Sequence, residues 1–208
     1  MYLIGLDISL RSPGWVVCDE EKKIMHVFGI RQRQSDPLGM YCGLHQGYYW
    51  KFTLLYHPDF ELHSATIPDR TKIYQRLVMG ILSSLYFSMP HHQTRPIHIL
   101  IENYAYHASG GRAMHLLPEL GGLLRTHISL AFPSALWEEK MPCSIKKSFT
   151  GSGRAKKKDM LQEYAKRLYP TLPSSAHPWE DMVDGLAMAL LLRDLVRPAI
   201  SFTLSKSK

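Results

Sequence analysis

The first thirty residues hold three short runs of strand formers, Tyr2–Ile8, Gly14–Cys18 and Ile24–Ile30. Ser12-Pro13 and Asp19–Lys23 supply the turns between them. Spacing this tight leaves room for hairpins and not for crossover helices, so the chain opens as an antiparallel meander. Asp7 sits in the first run between Leu6 and Ile8. A carboxylate among strand apolars is costly unless something pairs with it. The plain alternative is a strand-end acid that caps the next turn through Ser9 or Arg11.

The rest of the chain alternates elements without repeating a unit. Residues 31–68 show no clean period and crowd Tyr48, Tyr49, Trp50, Phe52, Tyr56 and Phe60 together. This segment reads as a long loop, an insertion without assigned role, with a short strand near Trp50–Tyr56. Asp69–Met89 has helical spacing through Ile73, Leu77, Ile81 and Leu85, and Pro90 ends it. Pro96–Glu102 is a strand that again finishes on an acid, and Leu116–Leu130 is a helix. Ala135–Trp137 is a weak strand, followed by a basic loop and helices at about Lys156–Leu168 and Trp179–Val196. The layout is one mixed α/β domain over residues 1–208, not a doubly wound repeat.

Of 208 residues, 45% are apolar and 21% charged, which is ordinary for a globular domain and rules out a disordered chain. The formal charge of +7 allows a polyanionic partner. Its distribution says more: Lys146, Lys147, Arg154, Lys156, Lys157, Lys158, Lys166 and Arg167 fall within a tenth of the length, against Asp159 and Glu163. Cys18, Cys42 and Cys143 are odd in number and match no zinc spacing, which points to a reducing, intracellular compartment. No signal or transit pattern precedes the first strand, and the longest apolar run, near Leu186–Leu192, is too short for a bilayer.

Glu102 repeats the situation of Asp7, so two strands each deliver an acid at a comparable place. Asp181 and Asp184 are three apart and share one face of the last helix near its start. An ordinary acidic first turn would look the same, and Glu180 competes for the role. Four converging carboxylates would repel one another unless a divalent cation neutralised them. Oxygen donors without His or Cys suit Mg²⁺, with Mn²⁺ able to substitute. Two such ions, about 4 Å apart, clamp the attacking and leaving oxygens of a phosphodiester. The segment Thr150–Met160 (TGSGRAKKKDM) combines Gly151 and Gly153 with a basic helix start suited to phosphate, although a merely solvated basic turn reads alike. It is not a Walker loop.

Together these segments resemble the RuvC-type Holliday-junction resolvases, a family of ribonuclease-H-like nucleases. The resemblance rests on the order GLDIS, IENYA, KK…TGSGRAKKKDM and DMVDGLAMA, spread over most of the chain. It implies a ribonuclease-H-like mixed sheet, three antiparallel strands plus parallel ones, flanked by helices. It also implies metal-dependent cutting of four-way DNA junctions. The family pattern falls on Asp7, Glu102, Asp181 and Asp184 as metal-holding acids, and favours Asp181 over Glu180. It falls on Gly151, Gly153 and Ala155, and on Lys146 and Lys157 as functional lysines, while the basic segment itself offers Lys147, Arg154, Lys156 and Lys158 as further DNA contacts. The family's junction-centre aromatic aligns with Ala105, so Tyr104 or Tyr106 takes that part. Ser9 and Gly185 stand where the family has Pro and Ala. A two-fold symmetric junction implies a homodimer, with the interface on the helix near Leu116–Leu130. Alternatives of other kinds are a ribonuclease-H-like nuclease for RNA or flap DNA, an actin-like ATPase, and a non-catalytic junction binder. The chain is short for the two lobes of an ATPase.

Overall fold

The computed structural model describes residues 1–9, 13–31, 41–45, 48–56, 67–103, 113–168 and 179–205. The opening runs form β1 (Tyr2–Asp7), β2 (Gly14–Asp19) and β3 (Ile24–Arg31). They pair antiparallel in sequence, Asp7 facing Gly14 and Val16 facing Val27. Two strands follow, β4 (Tyr41–His45) and β5 (Tyr48–Tyr56), then α1 (Ile67–Ser88), β6 (Ile97–Glu102), α2 (Ala113–Ala131) and β7 (Leu136–Lys140). The chain closes with α3 (Pro142–Thr150), α4 (Lys157–Leu168) and α5 (Trp179–Ser205). The sheet runs β4-β5-β3-β2-β1-β6-β7, with β6 parallel to β1 and β7 parallel to β6. This is the expected ribonuclease-H-like arrangement.

Three expectations are corrected. The segment 31–68 is not one long loop: β5 adds parallel to β3, and β4 folds back on β5 as the sheet edge. Side chains alternate along β5, Tyr48 and Phe52 entering the core, so the segment has strand period despite its aromatic crowding. The stretch after β7 is not a loop but the helix α3, started by Pro142 and closed by Gly151 at φ 83°, whose N–H bonds Lys147 O at 2.8 Å. The last helix does not stop at Val196 but runs through Pro198 to Ser205. A proline there removes one backbone hydrogen bond without barring helical φ. Smaller shifts are that α2 begins at Ala113 rather than Leu116 and β7 extends to Lys140.

The central strands β1 and β6 are buried on both faces, which is why they read as nearly unbroken apolar runs. On one face Tyr2, Ile4, Leu6, Trp15 and Ile99 pack under α1 and α2. On the other, Leu3, Val16, Val27 and Leu100 pack under α3, α4 and α5. Within the first core Trp15 Nε1 donates to Ser84 Oγ at 2.7 Å, satisfying an indole that would otherwise be stranded. At the end of the sheet away from Asp7, Arg95 pairs with Asp19 (Nη1–Oδ2 2.9 Å) and lies over the Tyr2 ring at 4.1 Å. That pair fastens the entry of β6 to the exit of β2. Among the described residues no helix is long and apolar enough to cross a membrane.

Candidate active site

Strand register places the first two acids. β1 and β6 pair from Tyr2 with Ile97 through Leu6 with Ile101, so Asp7 and Glu102 come next, at the ends of adjacent parallel strands. Leu3 and Leu100 belong to the core beneath α5, and alternation carries Asp7 and Glu102 to that same face.

Glycines bring α5 onto this corner. A Cβ on Gly185 would lie 2.9 Å from Gly14 O and 3.2 Å from Trp15 Cα. A Cβ on Gly5 would lie 2.2 Å from Gly185 O and 2.6 Å from Ala189 N. Helix and sheet therefore meet backbone to backbone beside the Asp7–Gly14 pair. The departure at Gly185 has a physical reason: this contact has no room for a methyl group. Asp184, its neighbour, is held at the strand ends, with its side chain 20% exposed.

Two helices then deliver cations. The connector between α3 and α4 is wound tightly: Thr150 Oγ1 donates to Lys146 O at 2.9 Å, and Ser152 N donates to Thr150 Oγ1 at 3.2 Å. Gly153 packs on Cys143, where a Cβ would meet the carbonyl oxygen at 2.9 Å, and Ala155 is buried. The connector folds the start of α4 back beside α3, so Lys146 and Lys157 converge although they belong to different helices. Lys157 donates to Asp184 Oδ2. Lys147, Arg154, Lys156 and Lys158 are exposed around them. One helix-start donor is already engaged, since Lys156 N bonds Asp159 Oδ2 at 2.8 Å.

Glu102 reports the electrostatics of the corner. Its carboxyl is pushed up to about 7, first by burial and then by the charge of Asp184, while Lys146 and Lys157 pull the other way. Glu102, Asp184, Lys146 and Lys157 thus form one interacting set, and near neutral pH the Glu102 proton is exchangeable. Among the described residues no three acids, histidines or cysteines gather closely enough to hold an ion. The side chain of Asp181, with Tyr104 and Tyr106, lies outside the described residues.

One residue of this corner escaped the sequence reading. Lys140, the last residue of β7, is in register with Glu102. Its signal was the Glu-Glu-Lys ending of a weak strand, which is visible only once β7 is known to extend past Trp137.

No protein-family model and no curated protein matches the sequence. Among solved structures, the Thermus thermophilus RuvC structure is similar at TM-score 0.52 and 18% identity, over 91% of this chain and 92% of that one. The structure of T. thermophilus RuvC in complex with Holliday junction substrate is similar at TM-score 0.50 and 14% identity, over 91% and 90%. At these identities the likeness is one of fold, and the chain shares the ribonuclease-H-like α/β architecture of RuvC over 91% of its length.

Proposed function

We propose that this protein is a structure-selective endonuclease that cuts four-way DNA junctions by metal-dependent phosphodiester hydrolysis. The observation that carries the reading is the interacting set of Glu102, Asp184, Lys146 and Lys157 at the strand ends, on a fold shared with RuvC. Asp7 and Asp181 complete the acids. Their chemistry fits divalent magnesium or manganese: the Asp184 charge raises the cost of ionising Glu102, and the donors are hard oxygens. Two bound ions would supply the charge that lets the acids and a phosphate share one corner.

The chain's own residues do the rest. Lys157 and Lys146 offset the carboxylate charge and meet the scissile phosphate, while Glu102 and Asp7 orient the attacking water. Lys147, Arg154, Lys156 and Lys158 form a basic rim for the arms of the junction. Tyr104 or Tyr106 unstacks the junction centre. Two copies are required for two symmetric cuts. On α2, Leu116, Leu120, Leu124 and Ile128 are spent on the core. The outward face with Gly122, Thr126 and the 76%-exposed Leu130 is the one free to serve the dimer.

The deciding experiment incubates the protein with a synthetic four-way junction and a linear duplex, with Mg²⁺ or with EDTA. Paired cuts in the junction with Mg²⁺ alone, lost in Asp7→Asn, Glu102→Gln, Asp181→Asn and Asp184→Asn without loss of binding, are expected. Cutting of duplex, RNA or flaps at the same rate would replace the reading with a general nuclease. Tight binding with no cutting would replace it with a junction-binding protein.

A further inference from the structure

Lys140 stands in register with Glu102, and its backbone is fixed because Asn103 N donates to Lys140 O at 2.8 Å. Trp137 packs against the core under α1 and α2, so alternation puts Glu138 and Lys140 on the opposite face, the one that carries Glu102. The Lys140 ammonium lies 3.4 Å from Glu138 Oε2, with the two side chains 38% and 42% exposed. An ion pair this open contributes little to stability and is readily exchanged.

The lysines around Glu102 differ in what they already hold. Lys157 is bonded to Asp184, and Lys146 acts on Glu102. Lys140 pairs with an acid outside that set, so a phosphate can take it without uncovering a carboxylate of the corner.

We infer that Lys140 is a third phosphate-contacting lysine of this site, stored on Glu138 in the free protein and passed to the DNA backbone when the junction binds. The inference rests on the proposed nuclease reading and extends it to a residue that the family pattern does not assign. Exchanging Glu138 for a phosphate moves no bond and needs no third component. It makes Glu138 a restraint on affinity, because the carboxylate competes with DNA for the same ammonium.

The test is anisotropy binding of a labelled four-way junction in EDTA, across a salt series, with wild type, Lys140→Met, Lys140→Arg, Glu138→Gln and the Lys140→Met/Glu138→Gln double variant. Lys140→Met keeps the apolar stem and should weaken binding about fivefold at about 150 mM salt, with the slope of log K on log salt reduced by roughly one. Lys140→Arg should bind like wild type. Glu138→Gln should bind more tightly than wild type, and that gain should vanish in the double variant. A merely structural pair would move both single variants in the same direction. An unchanged slope in Lys140→Met, or a Glu138→Gln gain that persists without Lys140, overturns the inference while leaving the nuclease reading intact. Wild type that binds no junction overturns both. Should Lys140→Met fail to fold, Lys140→Gln replaces it in both the single and the double variant, with the same outcomes expected.

Discussion

Glu102→Gln is expected to stabilise the metal-free protein at pH 8 and to leave it unchanged near pH 4. The carboxyl titrates at about 7 in the folded chain against 4.5 for an ordinary glutamate, because burial and the Asp184 charge oppose its ionisation. The sign follows from which state holds the proton. Below 4.5 both folded and unfolded chains are protonated at this position, so nothing is lost. Between 4.5 and 7 the unfolded chain ionises first, and stability falls as pH rises. Above 7 the folded chain carries the buried charge in full. At about 1.4 kcal/mol per pH unit between the two titrations, the cost is on the order of 3 kcal/mol. A glutamine keeps the shape and escapes that cost. For a chain of this length the gain corresponds to a rise in Tm of about 6–12 °C. Thermal unfolding followed by circular dichroism in EDTA, at pH 4 and pH 8, reads it directly. Equal or lower stability of Glu102→Gln at pH 8, or the same gain at both pH values, would refute the reasoning. Cleavage should be lost in the same variant, so activity and stability move in opposite directions.

The other expectations concern packing, an ion pair and the metal. Gly5→Ala forces a methyl against Gly185 O and should cost about 3 kcal/mol or more, with Gly185→Ala costing roughly 1–3 kcal/mol, both read by urea unfolding. Arg95→Ala leaves the buried Asp19 with two backbone N–H bonds but no cation and should cost roughly 3 kcal/mol, while Arg95→Ala/Asp19→Asn should cost less than the two single changes together. Millimolar Mg²⁺ should raise the Tm of wild type at pH 8, by about 2.7 kcal/mol of stability where the ion is at a hundred times its Kd, and should do little for Glu102→Gln. A rise of equal size in both would remove Glu102 from the metal site.

The acids at Asp7 and Glu102 were legible because each ends a run of strand formers, where a charge is conspicuous. Their adjacency was not, since it depends on the pairing of β1 with β6 across most of the chain. The meander, α1 and α4 followed from local period alone. The helix α3 stayed hidden because only Ile145 and Phe149 face its core, and two apolar positions do not define a period. β5 was seen in part: its aromatics marked it, but its parallel partner β3 cannot be read from local sequence. Lys146 and Lys157 are eleven residues apart on different helices, so spacing gave no hint that they meet. The family pattern alone singled them out. The role of Gly185 was opaque for a similar reason, because a close approach between backbones leaves no mark on either segment.

That approach also sets how the acid corner tolerates change elsewhere. Leucine, isoleucine and methionine side chains are soft spacers, whose rotamers shift when a neighbour gains or loses a methylene. Main chain against main chain is a hard stop. With Gly5 under Gly185 O and Gly185 on Gly14, the seat of α5 is defined by backbone atoms. Volume changes in the surrounding core can then be absorbed by tilting the far end of the helix, with Asp184 near the pivot. Changes of similar volume at Leu192 or Val196 should therefore disturb the strand-end geometry less than any side chain added at Gly5 or Gly185.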